Sequence, residues 1–181
     1  MTGYRKMVRD SVRGILANED SGLNARIAGL AAVYGLEALQ IDFSEYSDTF
    51  VQSALAVDTD NFQFSALFPK PLGLALYTVG AINTKDQNSG LFSGQVEVRL
   101  DFYFQFSARL RPGMDAIEDR DTETIVDMVE EAVLLSLHDA AAAWGQVVYN
   151  FDFQSLRGPM RPDDDGWQQR VSITLMCGVH V

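Results

Sequence analysis

The chain has 181 residues, of which 47% are hydrophobic and 22% charged, with a formal net charge of −11. That size and apolar content suit one globular domain, or one domain with an elaborated end. The acidic balance excludes a protein that clamps nucleic-acid phosphates over its whole surface, leaving room only for a local basic patch. A single cysteine excludes an intrachain disulfide framework. No segment approaches the roughly 20 apolar residues of a membrane span. The opening MTGYRKMVRDSVRG lacks the apolar core and cleavage site of a signal peptide, so a reduced, intracellular origin is expected.

In chain order, Tyr4 to Ala17 places Tyr4, Val8, Val12, Ile15 and Leu16 on one helical stripe and gathers Arg5, Lys6, Arg9 and Arg13 on the other side. Those four cations are the one charge feature at odds with the acidic whole. They read either as a solvated face or as a dock for an acidic partner surface. A second helix is predicted from Leu23 to Tyr34, with Ser21 near its start and Gly35 as terminator, making Asn18 to Gly22 the turn of a helical hairpin.

From Leu39 to Phe68 short apolar runs, LQIDFS, TFVQSALAV and FQFSALF, predict strands or extended segments of open pairing. Pro69 and Pro71 then forbid helix, and Leu72 to Val79 reads as an apolar strand. Gly80 to Gly94 is predicted to be a flexible connection between adjacent strands, too long for a tight hairpin turn.

Gln95 to Ala108 carries the clearest signal. Val96, Val98, Leu100, Phe102, Phe104 and Phe106 alternate with Gln95, Glu97, Arg99, Asp101, Tyr103 and Gln105, predicting a long strand with one buried and one polar face. A charged connection from Arg109 to Arg120 holds Met114 and Ile117. An amphipathic helix from about Asp121 to Ala143 follows, burying Ile125, Val129, Ala132, Val133, Ser136, Leu137 and Ala140 against a sheet. Val147, Tyr149, Phe151 and Phe153 mark another strand, and Arg170 to Val181 the last. Cys177 is in phase with Val171, Ile173, Leu175 and Val179, so it reads as a small buried hydrophobe.

Catalytic signals are sparse. Of the two histidines, His138 precedes Asp139 and His180 lies beside the C-terminal residue, but no Gly-x-Ser-x-Gly elbow is present. The run Asp163-Asp164-Asp165-Gly166 lacks the alternate spacing and closing glutamate of an EF-hand and reads as a polar turn, as does Asp58 to Asn61. No glycine-rich phosphate loop occurs. Phe102, Phe104, Phe151 and Phe153 could line a pocket but read first as core. No cofactor or metal site is expected.

Residues 68–181 resemble the tail terminator, or tail-completion, family of long-tailed bacteriophages. The resemblance rests on the strand Pro71 to Val79 after its prolines, the polar loop, the strand Val96 to Phe106, the helix Asp121 to Ala143, and the Asp165-Gly-Trp167 turn into Arg170-Val-Ser-Ile-Thr-Leu. It implies an α/β (α+β) fold, a mixed or antiparallel sheet of about four to six strands covered by helices. Residues 1–67 would be an N-terminal helical elaboration packed on the core within one compact domain, longer than the single helix usual in the family.

The resemblance further implies a non-enzymatic virion protein, made in the host cytoplasm, that forms a six-fold ring at the tail–neck junction. The ring would cap the tail-tube protein, meet the neck, connector or head-completion protein, touch the tail sheath, and pass DNA through its lumen without specific binding. The candidate inter-subunit loop is Ile82, Asn83, Thr84, Lys85, Asp86, Gln87, Asn88, Ser89, Gly90, Leu91 and Phe92; the candidate partner-docking face is Arg5, Lys6, Arg9 and Arg13. Two other readings stand beside this one. The chain could be a different neck, tube-end or sheath-end component, or a small cytosolic α/β hydrolase or ligand-binding domain using His138 or Cys177.

Overall fold

The computed structural model describes residues 3–36, 38–45, 47–53, 71–85, 92–107, 119–140, 144, 148–159, 161–163 and 166–180. Helix α1 (Tyr4–Leu16) buries Val8, Val12, Ile15 and Leu16, the stripe its spacing predicts. Asn18 then shapes the turn: its Oδ1 accepts from the backbone N–H groups of Asp20 at 3.0 Å and Ser21 at 2.9 Å, and from the Ser21 hydroxyl. Ser21 is therefore spent in the turn and does not cap α2 (Leu23–Tyr34), whose N-cap is Gly22. A Cβ at Gly22 would lie 2.4 Å from the Asn18 carbonyl oxygen and 2.5 Å from that of Leu16, so the close hairpin requires glycine. Gly35 ends α2 at φ 68°, the left-handed geometry its position predicts.

The LQIDFS segment forms no strand. Its polar backbone groups are taken by side chains instead. Asn24 exchanges two hydrogen bonds with the Ile41 backbone at 2.8 and 2.9 Å, Asp42 N–H donates to Thr49 Oγ1 at 2.7 Å, and Arg13 donates to the Phe43 carbonyl at 2.7 Å. Strand β1 (Phe50–Ser53) lies parallel to β2 (Leu72–Lys85), which pairs antiparallel with β3 (Phe92–Ser107). The predicted extended segments after Ser53, including FQFSALF, and the Asp58 to Asn61 turn lie outside the described residues, as do Met114 and Ile117.

Helix α3 (Asp119–His138) starts two residues before its predicted N-terminus. Its C-terminal end comes at His138 rather than Ala143: Asp139 and Ala140 form a turn, and the Trp144 indole N–H donates to the Leu137 carbonyl at 3.1 Å, satisfying a terminal acceptor. Residues 141–143 lie outside the described set. Strands β4 (Val148–Arg157), β5 (Arg161–Asp163) and β6 (Gly166–His180) complete the chain. β5 pairs antiparallel with the start of β6, Asp163 opposite Gly166, while Asp164 and Asp165 of the predicted polar turn lie outside the described residues.

The fold is α+β, with a mixed sheet in the order β1-β2-β3-β6-β4 and β5 paired to the start of β6. Leu72, Leu74 and Leu76, the apolar phase of β3 from Val96 to Phe104, and Val171, Ile173, Leu175, Cys177 and Val179 make one sheet face. Side chains of all three described helices join that face in a single buried cluster, α1 and α2 included. Met128 is buried as well, outside the predicted stripe of α3, a helix that α2 also packs against.

Candidate interaction site

The second face of the sheet is where sequence and structure part most. β3 should present its polar phase to water, yet Asp101 and Tyr103 are each only 1% exposed, and among the described residues Ala75, Tyr77 and Tyr103 form a second buried cluster. The register explains the grouping: Gly73 pairs with Tyr103, Ala75 with Asp101 and Tyr77 with Arg99, so these side chains share one face of β2 and β3.

The Tyr77 hydroxyl donates to Asp101 Oδ2. Burial and then this bond push the tyrosine up to about 12, because ionising it would set a phenolate against a carboxylate away from water. Arg99 interacts with both groups, and its own proton is held more tightly because Tyr77, Asp101 and Glu97 together outweigh its desolvation. Among the described residues Asp101 Oδ1 has no hydrogen-bond partner. Alternation alone cannot reveal this network, although two tyrosines on a nominally polar face are a trace of it.

Toward β4 the same face opens to solvent. Asp152, Gln154 and Leu156 are exposed, Leu156 to 70%, with Thr174 and Met176 half-buried beside them. Among the described residues no strand lies beyond β4 or beyond β1.

The residues singled out by the sequence fare differently. The Gly80 to Gly94 segment is mostly ladder, not loop: Ile82 pairs with Gln95, Asn83 with Gly94, Thr84 with Ser93 and Lys85 with Phe92. A register shift between Thr78 and Gly80 lets β2 continue past the point where its apolar run ends, so hydrogen bonding outlasts the hydrophobic pattern. Asp86, Gln87, Asn88, Ser89, Gly90 and Leu91 lie outside the described residues.

The basic stripe of α1 also divides. Arg5 and Lys6 are exposed, and Lys6 pairs with Asp10 one turn on, a bond that with Gln52 holds the Asp10 carboxyl low against the opposing effect of burial. Arg9 is 9% exposed, and Arg13 turns inward to the Phe43 carbonyl with its guanidinium 5.7 Å from the centre of the Phe50 ring. Of the four cations, Arg5 and Lys6 thus face solvent, Arg9 is largely buried, and Arg13 is engaged by Phe43 and Phe50.

Around the proposed hydrolytic residues, His138 is exposed and rests on the Phe151 ring at 5.5 Å, and Phe151 stacks on Trp144. The Cys177 thiol is fully buried, and desolvation pushes it up to about 12, far from a reactive thiolate. Phe102 and Phe104 are core, and Phe151 and Phe153 are half-buried at its margin. On the helix-bearing face of β4, Arg157 pairs with Glu130 and Asp127 of α3, and the Ser155 hydroxyl donates to Glu130. Among the described residues no group of three or more His, Cys, Asp or Glu side chains is placed to hold a metal ion, and no helix is long and apolar enough to cross a membrane.

No protein-family model matches the chain, and no curated protein matches it either.

Proposed function

We propose that the chain is a structural protein of the virion, a tail terminator that forms a ring at the tail–neck junction, caps the tail-tube protein and meets the neck, connector or head-completion protein. The reading rests on the order of elements that carries the family resemblance, and one observation supports it most. Among the described residues the sheet ends in two unlike edges, β1 on one side and β4 on the other, with the helices on one face. A ring closes through heterologous contacts, and these need two different patches on each subunit. The net charge of −11 suits a conduit through which DNA passes without adhering. In this reading the chain does no catalysis.

The test is electron microscopy of the purified protein, alone and mixed with the tail-tube subunit of the same genome. Rings seated on tube ends, with tubes that stop growing there, are expected. A protein that ignores tubes, or whose deletion leaves tail length unchanged, overturns the proposal.

A further inference from the structure

We infer that the β4 edge of one copy pairs with the β1 edge of the next, continuing the sheet from subunit to subunit with Leu156 opposite Val51 of the neighbouring copy. This deepens the ring reading and rests on it for the choice of a second copy as partner. β4 runs from Val148 to Arg157, longer than the common strand of about 5–6 residues, and contains neither lysine nor proline to blunt its edge. Leu156 stands on it 70% exposed.

Direction and register decide which strand fits. β2, β3, β6 and β4 are successively antiparallel, and β1 is parallel to β2, so β1 and β4 point in opposite directions. A second copy placed alongside with the same face outward therefore brings its β1 antiparallel to β4, the pairing already used through most of the sheet. Following the ladder across, Val51 pairs with Ala75, Ala75 with Asp101, Asp101 with Ser172 and Ser172 with Leu156. Val51 and Leu156 thus sit at one level and on one face, at opposite edges of the same sheet. Juxtaposing copies at that level sets the exposed leucine against the half-buried valine as an apolar cross-strand pair. The contact is heterologous, so it propagates until a ring closes.

Within one subunit the two positions are four interstrand spacings apart, about 19 Å, far beyond the reach of a disulfide. A Leu156→Cys variant mixed with a Val51→Cys variant therefore reports only contacts between copies. Cys177 stays silent because it is buried. Mild oxidation of the mixture, followed by peptide mapping, is expected to yield a 51–156 disulfide that neither variant forms alone. No disulfide in the mixture, or only a 156–156 bond in which β4 meets itself across a two-fold axis, overturns the inference.

Leu156→Asp, at a site too exposed to matter to the fold, provides a second readout. It should reduce ring mass to that of the monomer while leaving the circular-dichroism spectrum unchanged, and rings that persist in this variant also overturn the inference. Rings that cap tubes without the 51–156 bond would retain the terminator reading and discard this pairing. The bond without tube capping would do the reverse.

Discussion

Replacing Tyr77 by phenylalanine should destabilise the fold by about 3 kcal/mol. The ring and its packing remain, so the loss is that of one hydrogen bond to a buried carboxylate, worth about 1.5–3 kcal/mol, plus the cost of leaving Asp101 Oδ2 without its donor. Oδ1 has no partner among the described residues to share that burden. In a chain of this length the melting temperature should fall by about 6–12 °C. Denaturant unfolding at pH 7 measures the difference directly.

A pH series isolates its origin. An unfolded tyrosine ionises near 10.0, whereas Tyr77 in the fold holds its proton up to about 12. The unfolded state therefore loses this proton first as pH rises. The associated stability is complete below pH 10 and is lost between 10 and about 12, on the order of 3 kcal/mol. The gap between the wild type and Tyr77→Phe should close across that window. A cost below about 1 kcal/mol at neutral pH, or a gap that does not change with pH, would refute the buried Tyr77–Asp101 bond.

Arg13→Ala should cost about 2 kcal/mol, through the lost bond to the Phe43 carbonyl and the lost cation–π contact with Phe50, whereas Arg5→Ala should stay within about 0.5 kcal/mol. Thermal melts of the two variants test whether the basic stripe is divided. Gly35→Ala should cost about 1 kcal/mol from its left-handed φ alone, since open space surrounds it. Gly22→Ala should cost more, about 1–3 kcal/mol, because its Cβ would meet backbone carbonyls that cannot rotate away; urea titrations of the pair give the order. Cys177 should resist an aromatic disulfide reagent in the native state and react fully in denaturant. Its contribution to stability should decline as pH rises from 9.0 toward about 12, because the unfolded thiol ionises first.

The elements legible in the sequence are those whose signal is local. The helix Leu23–Tyr34 falls at its predicted bounds, because a 3.6-residue stripe and a glycine that alone tolerates φ 68° are both written within a few residues. The long strand around Val96 to Phe106 and the phase that buries Cys177 follow equally from period-two alternation. Of the two readings of LQIDFS, the strand fails because its hydrogen-bonding partners are side chains of Asn24, Thr49 and Arg13, which no local pattern announces.

Of the candidate site, the sequence located the segments but not their fates. Alternation separates the two faces of β3 without saying that Ala75 and Tyr77 come to lie beside Asp101, a pairing created by strand register. Residue type identified Arg9 and Arg13 as cations; only the path of the chain 30 positions later brought the Phe43 carbonyl within reach of Arg13 and turned it inward. The strand order that leaves β1 and β4 at opposite edges, with Val51 and Leu156 at one level, is likewise a property of pairing between distant segments. Periodicity reports what each segment buries. Which segments meet depends on long-range hydrogen bonding and packing, and these are decided by the whole chain together.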